Sequence, residues 1–573
     1  MPTEMPRSTA VNSITTKIVD LSSTKQSKRR LSVLTDSFNL CDEPWVRVRD
    51  KQGHVTELSL REVFAHGNEY AALAGEIPTQ DVAVLRLLLA IIMRAMDLPG
   101  SDEERVDLWD EWWGQRKLPT EEINAYLERW HGRFDLLDAA TPFMQVADLS
   151  SPSGRASGLV KLIAEVPDGN RFFTLREGAG LDSLTFAEAA RWLVHCQAYD
   201  MSGIKTGAVG DTRVKSGRGY PIGQGLAGWL GVVIAEGNTI TETLLLNLCL
   251  DRWTSDDSVV WERSPQGPEE CVDHPVPVGV SDMYTWQARR VRLFTKDSRI
   301  IDVQLSNGDR PGLQNMHRVD TMSAWRFSAP QSKKFGHDVL MPKTHQPERT
   351  MWRGLESMLV KNEDPQRGQR PAVIEWEARL VNEEVLDPNY SLTLRAIGIE
   401  YGPQSASIAR VIDDEMSANV AAITDPALID TINSAVQSAA ATARCVAFLA
   451  DNLGQAAGAE NEGEHDRAYE RAYGVMDPLF RDWTRTLRKG ADTTRYERAW
   501  QCQVAGAVTA LGVNMCRSAG RKALVGRQIQ QGDRVILRDT AQCWHVFMRG
   551  LYKALPLAYA KDAMNNSEAK EGD

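Results

Sequence analysis

The sequence predicts an α+β fold, in which a large mixed α/β N-terminal domain (35–412) is followed by a C-terminal four-helix bundle (413–563). Its 573 residues exceed what one ordinary hydrophobic core organises. Strand-like and helix-like periodicities mix in the first part, whereas four amphipathic helical segments joined by polar loops follow. The polar ends predict a disordered tail over 1–34 and a frayed tail over 564–573.

The elements of the first domain are predicted from their periodicity. Apolar and basic residues alternate over 46–49, which indicates a half-buried strand, and 51–53 is typical of a hairpin turn. Apolar residues surround nearly the whole circumference of 81–96, which predicts a buried helix. A second helix is expected over 184–199, and 226–235 returns to the core as a strand or a buried helix.

The bundle is predicted from four segments. The first begins at Asp425-Pro426, because a capping side chain followed by proline favours a helix start. The others centre on 469–487, 496–513 and 540–555. The residues that the first helix is expected to bury are Ile429, Ile432, Val436, Ala440 and Ala443.

Net charge, cysteine spacing and the length of apolar runs limit the classes of protein that this sequence fits. A formal net charge of -11 argues against a protein whose whole surface coats nucleic acid, but it allows a local basic site. The eight cysteines contain no CxxC pair, which argues against a zinc ribbon and is typical of reduced core residues in a cytoplasmic protein. The longest apolar run, 226–235, is far too short to cross a bilayer, and no leader segment is recognisable, so we expect no membrane partner.

Residues 202–219 contain five glycines, four basic residues and no apolar periodicity. Glycine adds backbone freedom and supplies no packing surface, so this segment is not expected to be a helix or the interior of a strand. Two interpretations stay open, a mobile surface loop or a backbone that approaches a large anionic partner.

No catalytic motif is recognisable. Val214 stands before Lys215-Ser216, so the P-loop spacing GxxxxGK[ST] is absent, as are HExxH, GxSxG and EF-hand patterns. His195 beside Cys196 lies in a helical pattern that favours core packing over nucleophilic catalysis. We therefore expect no enzyme. The alternatives are an enzyme with a dispersed active site, such as a nucleotide hydrolase, and a purely structural scaffold.

Four stretches in this order resemble one known family. They are Leu40-Cys41-Asp42-Glu43-Pro44-Trp45-Val46, Trp130 with Pro142-Phe143-Met144-Gln145, Lys215-Ser216-Gly217, and Tyr401-Gly402-Pro403-Gln404-Ser405-Ala406-Ser407-Ile408. From about residue 37 to its end the chain resembles the large subunit (CasA family) of the type I-E CRISPR interference complex, Cascade.

The resemblance implies a non-catalytic DNA-binding subunit. Such a subunit recognises the protospacer-adjacent motif on double-stranded target DNA through the minor groove, promotes duplex opening and R-loop formation, and recruits the helicase-nuclease in trans. The implied partners are the other Cascade subunits, the guide RNA and the displaced non-target strand. No cofactor is implied, and because the CxxC pair of some relatives is absent, no structural metal is expected.

The resemblance also implies site residues. The residues expected to bind DNA are Gly207, Ala208, Val209 and Gly210 of the glycine loop, with Gly203 as an alternative first member, Lys215 and Arg218 on phosphates, Arg318 beside His317 as a basic finger, and Gln404, Ser405 and Ala406 as a wedge. Pro403 and Ser405 depart from the Asn-Gln pair of the family. Phe173, next to Phe172, is expected to contact the guide RNA or a neighbouring subunit.

Overall fold

A computed structural model describes residues 37–166, 176, 179–359, 368–459, 463–531 and 534–560. Helices and strands are mixed up to residue 419 and helices dominate after it, so the predicted α+β class is confirmed. The predicted tails, 1–34 and 564–573, lie outside the described residues.

The strands form small antiparallel sheets. They are β1 (Val46–Asp50), β2 (Val55–Leu58), β3 (Tyr70–Leu73), β4 (Lys205–Thr206), β5 (Arg218–Gly219), β6 (Val232–Glu236), β7 (Arg289–Lys296), β8 (Arg299–Asn307), β9 (Trp325–Phe327), β10 (Leu340–Pro342), β11 (Ser391–Tyr401), β12 (Ile408–Asn419), β13 (Arg527–Gln531) and β14 (Arg534–Arg538). Two sheets have three strands, in the orders β2-β1-β3 and β12-β11-β6, and the remaining strands pair two by two.

The helices surround these sheets and form the C-terminal bundle. They are α1 (Leu60–His66), α2 (Pro78–Ala95), α3 (Asp102–Gln115), α4 (Thr120–Trp130), α5 (Ala179–Asp182), α6 (Phe186–Tyr199), α7 (Ile240–Asn247), α8 (Val280–Tyr284), α9 (Ala329–Phe335), α10 (Glu356–Leu359), α11 (Ala372–Asn382), α12 (Val420–Thr424), α13 (Pro426–Ala457), α14 (Glu464–Thr484), α15 (Thr493–Ser518), α16 (Gly520–Val525) and α17 (Thr540–Ala554). No helix among the described residues is both long and apolar enough to span a bilayer.

Helix α2 is the centre of the N-terminal core. Its residues from Thr79 to Met93 are all buried, as its apolar circumference predicts, and it packs against α4, α6 and α8. It begins at Pro78, three residues before the predicted start, because proline fits the first turn of a helix. The Nε2 atom of His195 on α6 lies within hydrogen-bond distance, 2.9 Å, of the Oγ1 atom of Thr79. Burial lowers the pKa of His195 to about 3. His195 is therefore a neutral core residue.

The sheet β12-β11-β6 shows whether residues 226–235 form a strand or a buried helix. After a 3₁₀ turn over Leu226–Trp229 the chain forms strand β6, which pairs with the central strand β11. The strand alternative is confirmed and the helix alternative is wrong, since the short run of valine and isoleucine is flanked by glycines and leaves no length for a helix.

The four-helix bundle consists of α13, α14, α15 and α17, which pack against one another. The carboxylate of Asp425 accepts hydrogen bonds from the amides of Ala427 and Leu428, so the predicted start signal caps α13. Helix α15 is longer at both ends than predicted. The short helix α16 and the hairpin β13–β14, which lie between α15 and α17, were not predicted.

Strand β12 connects the two parts of the protein. It crosses the predicted domain boundary at residue 413 and continues to Asn419. The Nδ2 of Asn419 donates a hydrogen bond to the carbonyl of Leu487, which follows α14, at 2.9 Å. The strand that emerges from the sheet is therefore fastened to the bundle.

Candidate nucleic-acid interface

The glycine loop, residues 202–219, is a hairpin closed by the short strands β4 and β5. Next to these strands the amide of Gly207 donates to the carbonyl of Gly217 at 3.0 Å. The far turn reverses at Ser216 and Gly217, whose φ values of 50° and 73° are those of a type I′ turn. The loop thus has strand structure at its ends, which its glycine content did not predict, and irregular structure between them.

One side of the loop packs against the segment that precedes residue 151. Ala208 is buried with Val146 and Leu149 in a small apolar cluster. The amide of Val209 donates to the carbonyl of Ser150 at 2.9 Å. These contacts hold the middle of the loop against the domain.

The other side is held by an internal ion pair. The buried carboxylate of Asp211 accepts hydrogen bonds from the backbone amide and the guanidinium of Arg213, at 2.9 Å and 3.0 Å. The same guanidinium donates to the carbonyl of Gly308, just after β8, at 2.9 Å. The structure therefore favours a fixed loop over a mobile surface loop.

A buried charge cluster lies under the base of the loop. The carboxylate of Asp200 pairs with Lys205 Nζ at 2.7 Å and with the Arg289 guanidinium, and all three residues are buried. Burial alone would raise the pKa of Asp200, but the two cations outweigh it and lower that pKa. Burial lowers the pKa of Lys205. This cluster fixes the point at which the loop leaves helix α6.

The four glycine-loop residues predicted to touch DNA differ in accessibility. Gly207 and Ala208 are buried, whereas Val209 and Gly210 are exposed. A Cβ at Gly207 would lie 2.5 Å from Val214 Cγ1, so glycine at this position allows the loop to close on itself. Gly210 has a φ of 96°, which favours glycine, and it presents bare backbone to solvent.

Lys215 and Arg218 are the exposed cations of the loop. Both side chains reach solvent at the far turn, and neither forms an ion pair with another described residue. Arg213, by contrast, is neutralised by Asp211. Only the first two cations are available to an outside anion.

The second predicted element is the turn that joins β11 to β12, residues 402–407, here called the wedge turn. The amide of Gly402 donates to the carbonyl of Ser407 at 2.8 Å. Gln404 and Ser405 have φ values of 56° and 53°. Two successive non-glycine residues in the left-handed region are unfavourable by about 1–2 kcal/mol each, because Cβ approaches the following carbonyl. Gln404 and Ala406 are exposed and Ser405 is half-buried.

The structure brings the wedge turn and the glycine loop together. A Cβ placed on Gly203 would lie 3.9 Å from the Cβ of Ala406. The hydroxyl of Tyr401, at the end of β11, donates to the carbonyl of Tyr199, the last residue of α6, at 2.7 Å. Residues 202 positions apart in the chain, Tyr199 and Tyr401, therefore lie on one surface.

Arg318 is not joined to this surface. It is exposed on a 3₁₀ turn over Met316–Arg318, and no hydrogen bond, ion pair or ring contact links it to either turn in the part of the chain that the structure describes. Burial, together with the charges of Arg318 and Arg252, lowers the pKa of the neighbouring His317 to about 4. Phe172 and Phe173 lie outside the described residues.

Sequence reasoning missed two apolar residues on this surface. The side chains of Ile204 and Tyr220 are more than half exposed at the base of the glycine loop. Large apolar side chains that face water at one place are typical of a contact surface. Their occurrence in a segment without apolar periodicity is the signal that could have identified them.

The described residues contain no group of three or more His, Cys, Asp or Glu side chains that could hold a metal ion. Burial raises the pKa of the Cys196 thiol well above its usual range, so this thiol is not activated as a nucleophile.

Comparison with known proteins places the fold in a family. Residues 39–511 match the family described as CRISPR-associated protein Cse1. The chain belongs to the Cse1 family. A CasA/Cse1 protein of Thermus thermophilus is 29% identical over 446 residues, which are 76% of this chain and 81% of that protein. The resemblance to the CasA family is thereby confirmed.

Solved Cse1 structures have the same fold. The crystal structure of Thermobifida fusca Cse1 is 39% identical, with a TM-score of 0.83, over 91% of this chain and 99% of that one. A chain of a structure described as a CRISPR RNA-guided surveillance complex matches over 84% of this chain and 99% of that one, with 20% identity and a TM-score of 0.61. At that identity the likeness shows the fold alone.

Proposed function

We propose that this Cse1 protein is the subunit of an RNA-guided Cascade complex of type I-E that recognises the protospacer-adjacent motif through the DNA minor groove. The observation that supports the proposal is the contact between the glycine loop and the wedge turn. A motif reader and a strand separator must act on adjacent base pairs, so they have to be neighbours on one surface.

The glycine loop suits the minor groove because of its exposed backbone. This groove is about 6 Å wide in B-DNA and admits few side chains. Gly210 supplies backbone without a side chain, and the adjacent Val209 adds an apolar contact. Lys215 and Arg218 would bind phosphates and position the loop without reading sequence. Gly207 and Ala208 would act by shaping the loop.

The wedge turn suits insertion beside the first base pairs of the target. A turn that is already held in an unfavourable left-handed conformation loses little further freedom when it is pressed between bases. The hydrogen bond from Tyr401 to the carbonyl of Tyr199 would hold the turn in place while it pushes against the DNA. Gln404 and Ser405 are the side chains at the tip, with Ala406 against the glycine loop.

The remaining partners follow from membership of such a complex, as in the relative described as a surveillance complex. The guide RNA would read the target sequence by base pairing, which leaves this subunit a short motif and a modest basic surface. We extend the proposal to contact of Phe173 with the guide RNA or a subunit, of Arg318 with the minor groove, and of the helical bundle with the displaced strand. The chain would then recruit the helicase-nuclease in trans, with no bond made or broken by itself.

Replacement of Gly210 by leucine tests the proposal. The added Cβ would lie 3.0 Å from Cγ of Pro268 and would strain a backbone with a φ of 96°, so the substitution should distort the exposed backbone that is proposed to enter the groove. The control is Gly53→Leu, because Gly53 has a φ of 93°, no atom within 4 Å of its added Cβ, and a distant position in the β1–β2 turn. Binding of the assembled complex to duplexes with varied flanking base pairs is the measurement.

We expect Gly210→Leu to weaken binding to the preferred duplex at least tenfold and to remove discrimination between flanking sequences. Gly53→Leu should keep both. Parental discrimination by the Gly210 variant would refute the minor-groove assignment. Metal-dependent nucleotide turnover by the purified chain would instead favour a hydrolase.

A further inference from the structure

A cavity of about 610 Å³ lies between the sheet β12-β11-β6 and the segment 343–358, and it is here called the junction cavity. Val233, Ala396 and Ile412 line it on the side of the sheet, and Met351 and Met358 line it on the side of the segment. Cavities of about 300–1,000 Å³ that combine an apolar lining with a few polar groups are typical of sites for small molecules. The function proposed above leaves this cavity unused.

The segment that closes the junction cavity is held on both sides. The amide of Met351 donates a hydrogen bond to the carboxylate of Asp414 on β12 at 2.6 Å. The Nε1 of Trp352 donates to the carboxylate of Asp477 on α14 at 2.8 Å. The cavity therefore has fixed walls, and it lies where the sheet meets the helical bundle.

Some of the charges that line the junction cavity cancel in pairs. The guanidinium of Arg353 pairs with Glu470 of α14 at 2.7 Å. The carboxylate of Asp414 pairs with Arg481 of α14 at 2.8 Å. These four side chains contribute no net charge to the cavity.

Three further cations have no such partner. Lys343 and Arg349 line the junction cavity, and Arg326 lies on β9, which pairs with β10 just before Lys343. None of the three forms an ion pair or a side-chain hydrogen bond with another described residue. Burial lowers the pKa of Lys343 against the opposing charge of Glu356, and the charges of Arg326 and Arg349 lower it further. Three cations against one carboxylate leave an excess of two positive charges at the cavity.

Two uncharged polar groups also line the junction cavity. The Nε2 of His345 lies 2.9 Å from the carbonyl of Val232, and burial lowers the pKa of this imidazole. A neutral imidazole that donates from Nε2 keeps Nδ1 as an acceptor. The hydroxyl oxygen of Thr350 is buried and has no hydrogen-bond partner among the described residues. Such groups can orient the polar part of a ligand without changing the charge of the site.

The excess of two positive charges selects among anions. A phosphate monoester carries about 1.5 to 2 negative charges at pH 7, whereas a single carboxylate carries one. Arginine also binds phosphate through two parallel hydrogen bonds. A nucleic-acid strand fits less well, because it binds by stacking on aromatic side chains and no Phe, Tyr or Trp lines this cavity.

We infer that the junction cavity binds a small phosphate monoester with an apolar moiety, no larger than a nucleotide. Lys343 and Arg349 would hold the phosphate, and Met351 and Met358 would contact the apolar moiety. A bound ligand would contact both the sheet that carries the wedge turn and the segment tied to the bundle. The site is independent of the function proposed above, since neither the glycine loop nor the wedge turn lines the cavity.

Isothermal titration calorimetry of the full chain, without DNA, tests this site. The probes are phenyl phosphate and adenosine monophosphate, with inorganic phosphate and adenosine as the ligands that lack one half of the chemistry. The double variant Lys343→Ala with Arg349→Ala removes the two cations of the lining. The control is Lys333→Ala with Arg310→Ala, because these two cations are exposed and do not line the cavity. Glu356→Gln removes the opposing carboxylate and leaves the cations in place.

We expect both esters to bind at one site, inorganic phosphate at least about tenfold more weakly, and adenosine without measurable heat. The double variant should weaken ester binding at least about tenfold, Glu356→Gln should strengthen it about threefold, and the control should leave it unchanged. The opposite signs distinguish a binding role of these charges from a structural one, because loss of folding would not strengthen binding.

Absence of saturable ester binding, or ester binding that the double variant and Glu356→Gln leave unchanged, would overturn the inference. Inorganic phosphate as tight as the esters would refute the apolar half of the site. A single-stranded DNA oligonucleotide that binds through Lys343 and Arg349, when neither ester does, would assign these cations to nucleic acid and also refute a small-molecule site.

Discussion

Tyr401→Phe removes one oxygen atom from the joint between the wedge turn and the glycine loop. The hydroxyl of Tyr401 donates to the carbonyl of Tyr199 at 2.7 Å, and burial raises its pKa well above the usual range, so it remains a donor at every practical pH. Such a hydrogen bond contributes about 1 kcal/mol, and a carbonyl left unpaired in a partly buried site raises the loss to about 2 kcal/mol. The equilibrium constant that favours the correctly placed turn should fall about fivefold to thirtyfold.

Fluorescence of 2-aminopurine in the first base pairs next to the motif measures this effect. We expect the Tyr401 variant to open a fully paired duplex about fivefold to thirtyfold less, because opening requires the fixed turn. Binding to a duplex that already contains a bubble should be unchanged. Tyr496→Phe is the matched control, since it removes a hydrogen bond from the Arg488 amide at 3.1 Å inside the helical region. Equal losses on both DNA substrates, or no loss on either, would refute the role of this joint.

Three further predictions concern charge, pH and packing. Lys215→Glu should weaken duplex binding at every sequence and reduce the salt slope of log K by about one, and titrations at several salt concentrations that give an unchanged slope would contradict phosphate contact. Burial raises the pKa of Asp81 from 3.8 to about 6, so the carboxyl's contribution to the free energy of unfolding, about 3 kcal/mol, is present below pH 4 and lost as pH rises through 6. Asp81→Asn should flatten this part of the stability profile in denaturant titrations. Gly512→Ala should destabilise the bundle by about 1–3 kcal/mol, because its Cβ would lie 2.5 Å from the buried Phe547 ring, whereas Gly506→Ala in the same helix, with open space around its Cβ, should stabilise it by about 0.5–1 kcal/mol. Thermal melts of the two alanine variants that move in the same direction would contradict this packing argument.

Local patterns made much of the fold predictable. Helix α2 and the start of α13 follow from apolar spacing and from a capping Asp-Pro pair, both of which act within a few residues. The hairpin β13–β14 was missed although Gly532-Asp533 is a two-residue turn signal, because its flanks, RQIQQ and RVILR, do not alternate apolar and polar residues. Its many arginines and glutamines gave it the composition of a polar linker.

The candidate site was predictable as a set of segments but not as an arrangement. The anchors of the glycine loop, Ser150 and Gly308, are far away in the chain, and nothing in the loop's own composition identifies them. Spacing likewise does not distinguish the buried Gly207 from the exposed Gly210, because burial depends on how the loop closes. The left-handed backbone at Gln404 was also hidden, since that conformation is uncommon for residues other than glycine.

Strand β12 has a mechanical consequence. Its twelve residues span about 40 Å at the usual rise of a strand. Its far half is clamped by Asp414, which accepts from Arg481 of α14 at 2.8 Å, and by the bond of Asn419 to Leu487. Its near end leads into the wedge turn, which the hydroxyl of Tyr401 joins to α6. The strand thus connects the bundle rigidly to the wedge turn, and a bundle rotation of about 5° would displace the turn by roughly 3.5 Å if that joint opened. A force that turns the bundle would therefore load the hydrogen bond of Tyr401 before it moved the wedge turn.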